Sequence, residues 1–168
     1  MDVPRILVAG VGNVLNGDDG FCVELAWRLA KRPLPAGVKV IETGIGGMTL
    51  VQELMLGYDA VLLLDAHQGG GPAGTVRVLE PTLPDLSGLD THAVRDYFSD
   101  THYATPMRAL SFLEHLGRLP ERIAVIGCEP LQQQMSLGLS APVAAALERA
   151  EAMAIDWVVR VAEGEREG

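Results

Sequence analysis

The chain has 168 residues, of which 48% are hydrophobic and 21% charged, a size and composition typical of one folded domain. This hydrophobic content excludes an intrinsically disordered chain. The 13 Lys and Arg against 22 Asp and Glu give a net charge of −9, and the sequence contains no basic cluster. The composition therefore argues against a nucleic-acid partner and against binding to an anionic membrane surface.

The N-terminal residues and the two cysteines both favour a cytoplasmic protein. Residues 1–5 lead into the first apolar stretch without a basic leader or a small-residue cleavage site, and no apolar run approaches the ~18 residues of a membrane span. Cys22 and Cys128 lie far apart and belong to no Cys-x-x-Cys or Cys/His cluster. We expect both thiols to be reduced and to pack as small hydrophobic side chains.

Strand and helix patterns alternate through the first half of the chain. Aliphatic runs predict strands at 5–9, 38–42 and 60–65. Apolar residues at helical spacing predict helices at 20–31 and 48–56. Glycine-rich turns follow the strands, at 10–13, 43–47 and 68–74. The unbroken apolar run that ends at Asp65 is typical of a central strand covered on both faces.

The second half of the chain is less regular. Residues 75–79 alternate as in a half-exposed edge strand, which can run antiparallel to the others. Residues 81–105 show little pattern apart from a helical turn near 93–98. A helix, a strand and a long closing helix are then predicted at 107–115, 122–127 and 141–162, the first and last with a proline at the start. We expect a single domain over 1–162 and a frayed charged tail over 163–168.

This alternation predicts an α/β fold. We expect a three-layer sandwich with a mostly parallel sheet of about five strands and helices on both faces. In such sheets ligands bind beyond the carboxyl ends of the strands. The residues that follow each predicted strand are therefore the candidates for a functional site.

The turn after the first strand, Gly10-Val11-Gly12, looks like the start of a dinucleotide-binding fingerprint. The third glycine of that fingerprint is replaced by Leu15. Glu42, the acid at the end of the second strand, lies about 30 residues after the glycines rather than ~20. A nucleotide-binding α/β domain is therefore a minor alternative.

Acids and histidines near the predicted strand ends form a second candidate site. Asp18 and Asp19 precede the first helix, where one can cap the helix and leave the other available, and Asp65 ends an apolar strand. Two carboxylates and one imidazole suit a borderline divalent ion such as Ni²⁺ or Zn²⁺. His115 falls late in a predicted helix and is expected at the surface. The spacing alone does not choose among the other three histidines, at positions 67, 92 and 102.

Seven short runs, in chain order, are shared with a known family: ILVAGVGNVLNGDDG at 6–20, TGIGGMTL at 43–50, LLDA at 63–66, PAGT at 72–75, VIGCEP at 125–130, LGLS at 137–140 and PV at 142–143. With these runs the chain resembles the hydrogenase maturation endopeptidases. Those enzymes remove the C-terminal extension from the large subunit of nickel–iron hydrogenases. The resemblance extends over nearly the whole chain.

The resemblance implies an aspartyl-type endopeptidase that acts on a nickel-loaded large-subunit precursor. It implies that Asp19, Asp65 and His102 are both the catalytic and the metal-contacting residues. It also implies that the nickel is carried by the substrate, so that the free enzyme holds no tightly bound metal. His92 is the alternative to His102, because residues 86–100 depart from the family pattern as an insertion would.

The sequence lacks the signals of other peptidase mechanisms. It contains no Gly-x-Ser-x-Gly elbow, no His-Glu-x-x-His motif and no cysteine with an evident base. The remaining alternative from another class is a nickel-binding accessory protein that does not cut.

Overall fold

The computed structural model describes residues 2–99 and 105–165, which form a sheet flanked by helices. The strands are β1 (Ile6–Val11), β2 (Val38–Gly44), β3 (Ala60–Ala66), β4 (Val76–Leu79) and β5 (Arg122–Cys128). The helices are α1 (Phe21–Ala30), α2 (Gly47–Leu54), α3 (Thr91–Ser99), α4 (Pro106–His115) and α5 (Ala141–Ala162). A 3-10 turn at Gly17–Gly20 precedes α1.

The sheet order is β2-β1-β3-β5-β4, with β3 at the centre. The pairs β1–β2, β1–β3 and β3–β5 are parallel, and β4 runs antiparallel to β5 at the edge. The predicted α/β fold is thereby confirmed, including the central position of the 60–65 strand and the antiparallel edge strand. Because β1 and β3 are neighbours, the loops that follow them open at the same edge of the sheet.

Side chains alternate between two hydrophobic cores on opposite faces of the sheet. Val8 and Leu62 belong to the core that includes α1 and α5, whereas Leu7 and Leu63 belong to the core that includes α2 and α4. Residues at both kinds of position in β3 are fully buried, which explains its unbroken apolar run. By the same alternation, Asp65 lies on the α2 and α4 face.

Several element boundaries differ from those expected. β1 continues through Gly10 and Val11 because the glycine lets α1 approach the strand: a Cβ on Gly10 would lie 2.5 Å from the Cys22 carbonyl oxygen. β2 likewise extends to Gly44. The predicted turn near 93–98 is a nine-residue helix, α3, in which no residue is buried.

The two cysteines are buried and form no disulfide, as expected. Within the described residues, no helix combines the length and the apolar content that crossing a membrane requires.

Candidate active site

Asp19 and Asp65 lie close together at the carboxyl edge of the sheet. Asp19 is in the 3-10 turn that follows β1, and Asp65 is the penultimate residue of the neighbouring strand β3. Burial raises the pKa of Asp65 to about 6, with a further contribution from the negative charge of Asp19. Burial also raises the pKa of Asp19. The carboxylates of Asp19 and Asp65 are half-buried and repel each other. A cation or a proton shared between them would relieve this repulsion.

The loop after β1 holds Asp19 in place by folding back on itself. The Asn13 N–H donates to Asp19 Oδ2 at 2.8 Å, and the Leu15 N–H donates to Asn13 Oδ1 at 2.9 Å. A Cβ on Gly12 would lie 2.2 Å from the Asp19 carbonyl oxygen, so only glycine allows this approach. The glycines at 10 and 12 are therefore explained by close packing against α1 and the Asp19 turn, without a bound nucleotide.

Asp18 has a different role from the one expected. The sequence suggested that one of the two acids caps a helix, but the N-caps of the turn and of α1 are Asn16 and Gly20, and no side-chain hydrogen bond closes either cap. Asp18 is fully buried. Its carboxylate accepts hydrogen bonds from Leu131 N, Gln132 N, Ser140 N and Ser140 Oγ at 2.7–2.9 Å.

These bonds join the loop after β1 to the loop after β5. Burial raises the pKa of Asp18, but the four hydrogen bonds outweigh it and lower the pKa below its ordinary value. The carboxylate is therefore ionised and acts as an internal anchor at neutral pH. Local spacing could not have indicated this role, because its partners lie 113–122 residues away in the sequence.

A glycine loop follows Asp65 and is held by Glu129. The carboxylate of Glu129 accepts hydrogen bonds from the N–H groups of Gly69, Gly70 and Gly71, at 2.7, 3.3 and 3.3 Å. Arg77 of β4 lies 4.0 Å from the same carboxylate. These N–H donors, together with Arg77, lower the pKa of Glu129 against the effect of burial. This role of Glu129 could not be predicted from the sequence, although the residue falls within one of the shared motifs.

His67 stands at the start of this loop, two residues after Asp65. Its N–H donates to the Cys128 carbonyl oxygen at 2.9 Å, and its Cβ would lie 2.9 Å from a Cβ on Gly127. Gly127 pairs with Asp65 in the sheet register. The charge of His67 lowers the pKa of Asp65, partly offsetting burial and the Asp19 charge. His67 thus lies beside the acid pair.

Of the other three histidines, two lie within the described residues. His102 lies among residues 100–104, outside the described residues, so its assignment and the choice between it and His92 stay predictions. His92 is exposed in the first turn of α3, and His115 is exposed at the end of α4, as expected. Over residues 2–99 and 105–165, no three His, Cys, Asp or Glu side chains are grouped as metal ligands. Of the three predicted site residues, the structure thus brings together Asp19 and Asp65.

The buried thiols do not supply a nucleophile. Burial, with smaller contributions from the charges of Asp65 and Asp19, raises the pKa of Cys22 well above its ordinary value. Burial also raises the pKa of Cys128 to about 11. Both groups are therefore protonated at neutral pH, and neither forms the thiolate that cysteine catalysis requires.

The acid pair does not line a large groove that lies elsewhere on the described part of the chain. That groove, of about 1120 Å³, lies near the start of β5 and the end of α5, with Glu80, Glu121 and Arg160 among its lining residues. It is at the opposite edge of the sheet from Asp19 and Asp65. The strand-end acids, with their perturbed pKa values, are the better candidate site.

Comparisons with known proteins agree with this assignment of the fold. Residues 23–157 match the model of the HycI hydrogenase maturation protease family. The chain is 33% identical over 165 residues to the hydrogenase expression/formation protein HupD of Rhizobium leguminosarum, covering 94% of this chain and 78% of that protein. It is 33% identical over 153 residues to a putative hydrogenase maturation protease of Methanocaldococcus jannaschii, covering 86% and 90%.

A solved structure shows the same architecture. The hydrogenase maturating endopeptidase HybD from Escherichia coli superimposes with a TM-score of 0.75 at 26% identity, covering 94% of this chain and 93% of that one. The chain therefore belongs to the hydrogenase maturation protease family, a family of endopeptidases.

Proposed function

We propose that this chain is a cytoplasmic endopeptidase that removes the C-terminal extension of a nickel–iron hydrogenase large-subunit precursor after nickel has been inserted. Membership of the family supports the reaction class and the kind of partner. The observation that carries the proposal is the pair of mutually repelling acids, Asp19 and Asp65, at the carboxyl edge of the sheet.

The acid pair suits recognition of a cation that arrives with the substrate. In the free protein the buried charge of Asp65 is unfavourable, as its raised pKa shows. A divalent nickel ion held by the precursor would relieve this repulsion, so that a nickel-loaded precursor binds better than an empty one. We assign the third protein donor to His102, with His92 as the alternative. Three donors do not fill the ion's coordination shell, and the free protein is therefore expected to hold no tightly bound metal.

Cleavage then requires water as the nucleophile. The water oxygen attacks the scissile carbonyl carbon, the C–N bond breaks, and the leaving amine takes up a proton. Nickel bound by the substrate can polarise that carbonyl or lower the pKa of the water. A carboxylate of the acid pair is the group that accepts the proton of the water. This assignment explains why a half-buried acid stands at the end of an apolar strand.

The test measures cleavage of the precursor, which is detected by the mobility shift that accompanies loss of the extension. Nickel-loaded and nickel-free precursors are compared with the unmodified chain and with Asp19→Asn, Asp65→Asn, His102→Ala and His92→Ala, using circular dichroism as a folding control. We expect cleavage of the nickel-loaded precursor alone. The first three variants should lose at least about a hundredfold in rate, and the fourth should cut normally.

Equal cleavage of both precursors would refute recognition of nickel. Normal cleavage by the His102 variant together with loss in the His92 variant would transfer the third position to His92. Nickel transfer without any cleavage would instead identify a non-proteolytic accessory protein.

A further inference from the structure

The carboxyl edge of the sheet carries a group of exposed apolar side chains. Among the described residues, six side chains that are 47–93% exposed come from the segments that follow β1, β2 and β5. We call them the apolar rim: Leu15, Ile45, Met48, Leu131, Met135 and Leu137. Single exposed apolar residues are common on soluble proteins, but six at one edge form a patch.

The apolar rim lies at the same edge of the sheet as the acid pair. The strand that carries Asp65 lies between β1 and β5, so the segments that follow β1 and β5 flank it, and the segment that follows β2 lies one strand further out. Backbone hydrogen bonds also join these segments to one another, from Gly12 N to Gly44 O at 3.0 Å and from Gly17 N to Ser136 O at 3.0 Å. A polypeptide that reaches Asp19 and Asp65 from the side of β1 and β5 therefore passes over the rim.

The rim is held in shape by internal contacts. The buried carboxylate of Asp18 binds the loop after β5 at both of its ends, at 131–132 and at 140. Between these points the Ser136 N–H donates to the Leu15 carbonyl oxygen at 3.1 Å. Met135 and Leu137, which flank Ser136, are nonetheless 93% and 79% exposed. The loop is thus fixed in a form that keeps apolar side chains in water, which is unfavourable unless a partner covers them.

The charge of this surface indicates the kind of partner. The chain carries a net charge of −9, yet segments 13–17, 44–50 and 131–140 contain no charged residue. A strongly charged partner would find no ion pair on these segments. An uncharged, apolar polypeptide would bury the rim without leaving a charge unpaired.

We propose that the apolar rim is the docking surface for the precursor, and that it binds an uncharged, apolar stretch of polypeptide next to the scissile bond. This inference rests on the function proposed above and adds the chemistry of the segment that the site recognises. A second copy of this chain is a poorer occupant, because a dimer formed through the rim would cover Asp19 and Asp65.

The test compares two double variants in cleavage of the nickel-loaded precursor. Met135→Ser/Leu137→Ser removes the two most exposed side chains of the rim. Leu56→Ser/Leu116→Ser is the matched control: these residues are 60% and 44% exposed and follow the C-terminal ends of α2 and α4, away from the carboxyl edge. We expect KM of the rim variant to rise by about tenfold or more with kcat changed less than about threefold, and KM of the control to stay within about twofold.

Each other outcome has a defined meaning. An unchanged KM in the rim variant, while the unmodified chain cuts, overturns the docking surface and leaves the proposed function standing. Failure of the unmodified chain to cut any nickel-loaded precursor overturns both. Sedimentation of both variants is measured in parallel. A dimer of the unmodified chain that only the rim variant loses, with KM unchanged, would assign the rim to self-association and overturn the proposal.

Discussion

Replacing Asp65 by Asn should stabilise the free protein while abolishing its activity. The folded chain holds this carboxyl in a half-buried position beside Asp19, and its pKa rises from 3.8 to about 6. Burial is the larger cause and the Asp19 charge the second. Asn has nearly the same shape but no charge, so the substitution removes both unfavourable contributions. A residue that weakens the fold in this way is expected where function requires it.

The size and the sign of the effect follow from the pKa. Because the folded chain binds the Asp65 proton more tightly than the unfolded chain, the free energy of unfolding falls as the pH rises from about 4 to about 6. At about 1.4 kcal/mol per pKa unit, the full penalty is about 3 kcal/mol, and it is present at every pH above 6. The advantage of Asp65→Asn should therefore approach 3 kcal/mol near pH 8 and vanish near pH 4.

The assay is unfolding in urea at several pH values between about 4 and 8, monitored by circular dichroism. Carboxylates that do not interact with Asp65 contribute equally to both proteins, so the difference between the two curves reports Asp65 together with its repulsion from Asp19. Asp2→Asn, in the exposed N-terminal segment, is the control for loss of one negative charge. A difference that does not change with pH, or an Asp65→Asn variant less stable than the unmodified chain near pH 8, would refute the reasoning.

Three further predictions concern the residues that support the site and the core. Asp18→Asn should cost about 2–4 kcal/mol in urea unfolding, because an amide cannot accept four hydrogen bonds. Since hydrogen bonding lowers the pKa of Asp18, the stabilisation by these hydrogen bonds should be present at neutral pH and lost as the pH falls below 3.8. If Asp18→Asn lowered the free energy of unfolding equally at all pH values, the role of Asp18 as an ionised anchor would be contradicted. Glu151→Gln should lower the free energy of unfolding by about 1–2 kcal/mol, measured from the thermal midpoint. The reason is that Glu151 is a buried carboxylate of α5 and forms ion pairs with two half-exposed arginines, one in α1 and one just after it. Gly127→Ala should place a Cβ 2.9 Å from the Cβ of His67. We expect kcat/KM to fall at least about tenfold and the free energy of unfolding to fall by less than about 2 kcal/mol. Unchanged cleavage would show that the loop that begins at His67 moves freely.

The alternation of strands and helices could be predicted because the core is built from it. The apolar run at 60–64 is buried on both faces, so its composition alone identifies the central strand. Helix α3 gave a weak signal for the opposite reason. None of its residues is buried, and a helix that is polar on average stands out less from the neighbouring loops than a helix that belongs to the core.

The same distinction applies to the site. The pair Asp18 and Asp19, and Asp65, were candidates because a parallel sheet gathers strand ends at one edge, and the resemblance to the family selected Asp19 from the pair. The anchoring roles of Asp18 and Glu129 were not found, because each depends on contacts with residues about 60 to 120 positions away. Spacing along the sequence contains no trace of such contacts. Gly10 looked like part of a turn, and only the position of α1 shows that it serves helix packing.

The antiparallel edge strand has a consequence for how the family can vary. After β3 the chain leaves the carboxyl edge along β4, from Val76 beside Cys128 to Leu79 beside Val125. It returns to that edge before α4, which leads back to the start of β5. Ala66 and Pro106 therefore both lie at the carboxyl edge of the sheet. Residues can be gained or lost on this path without shifting the pairing of β3 with β5, so the length of the excursion can diverge among relatives while Asp65 stays where it is.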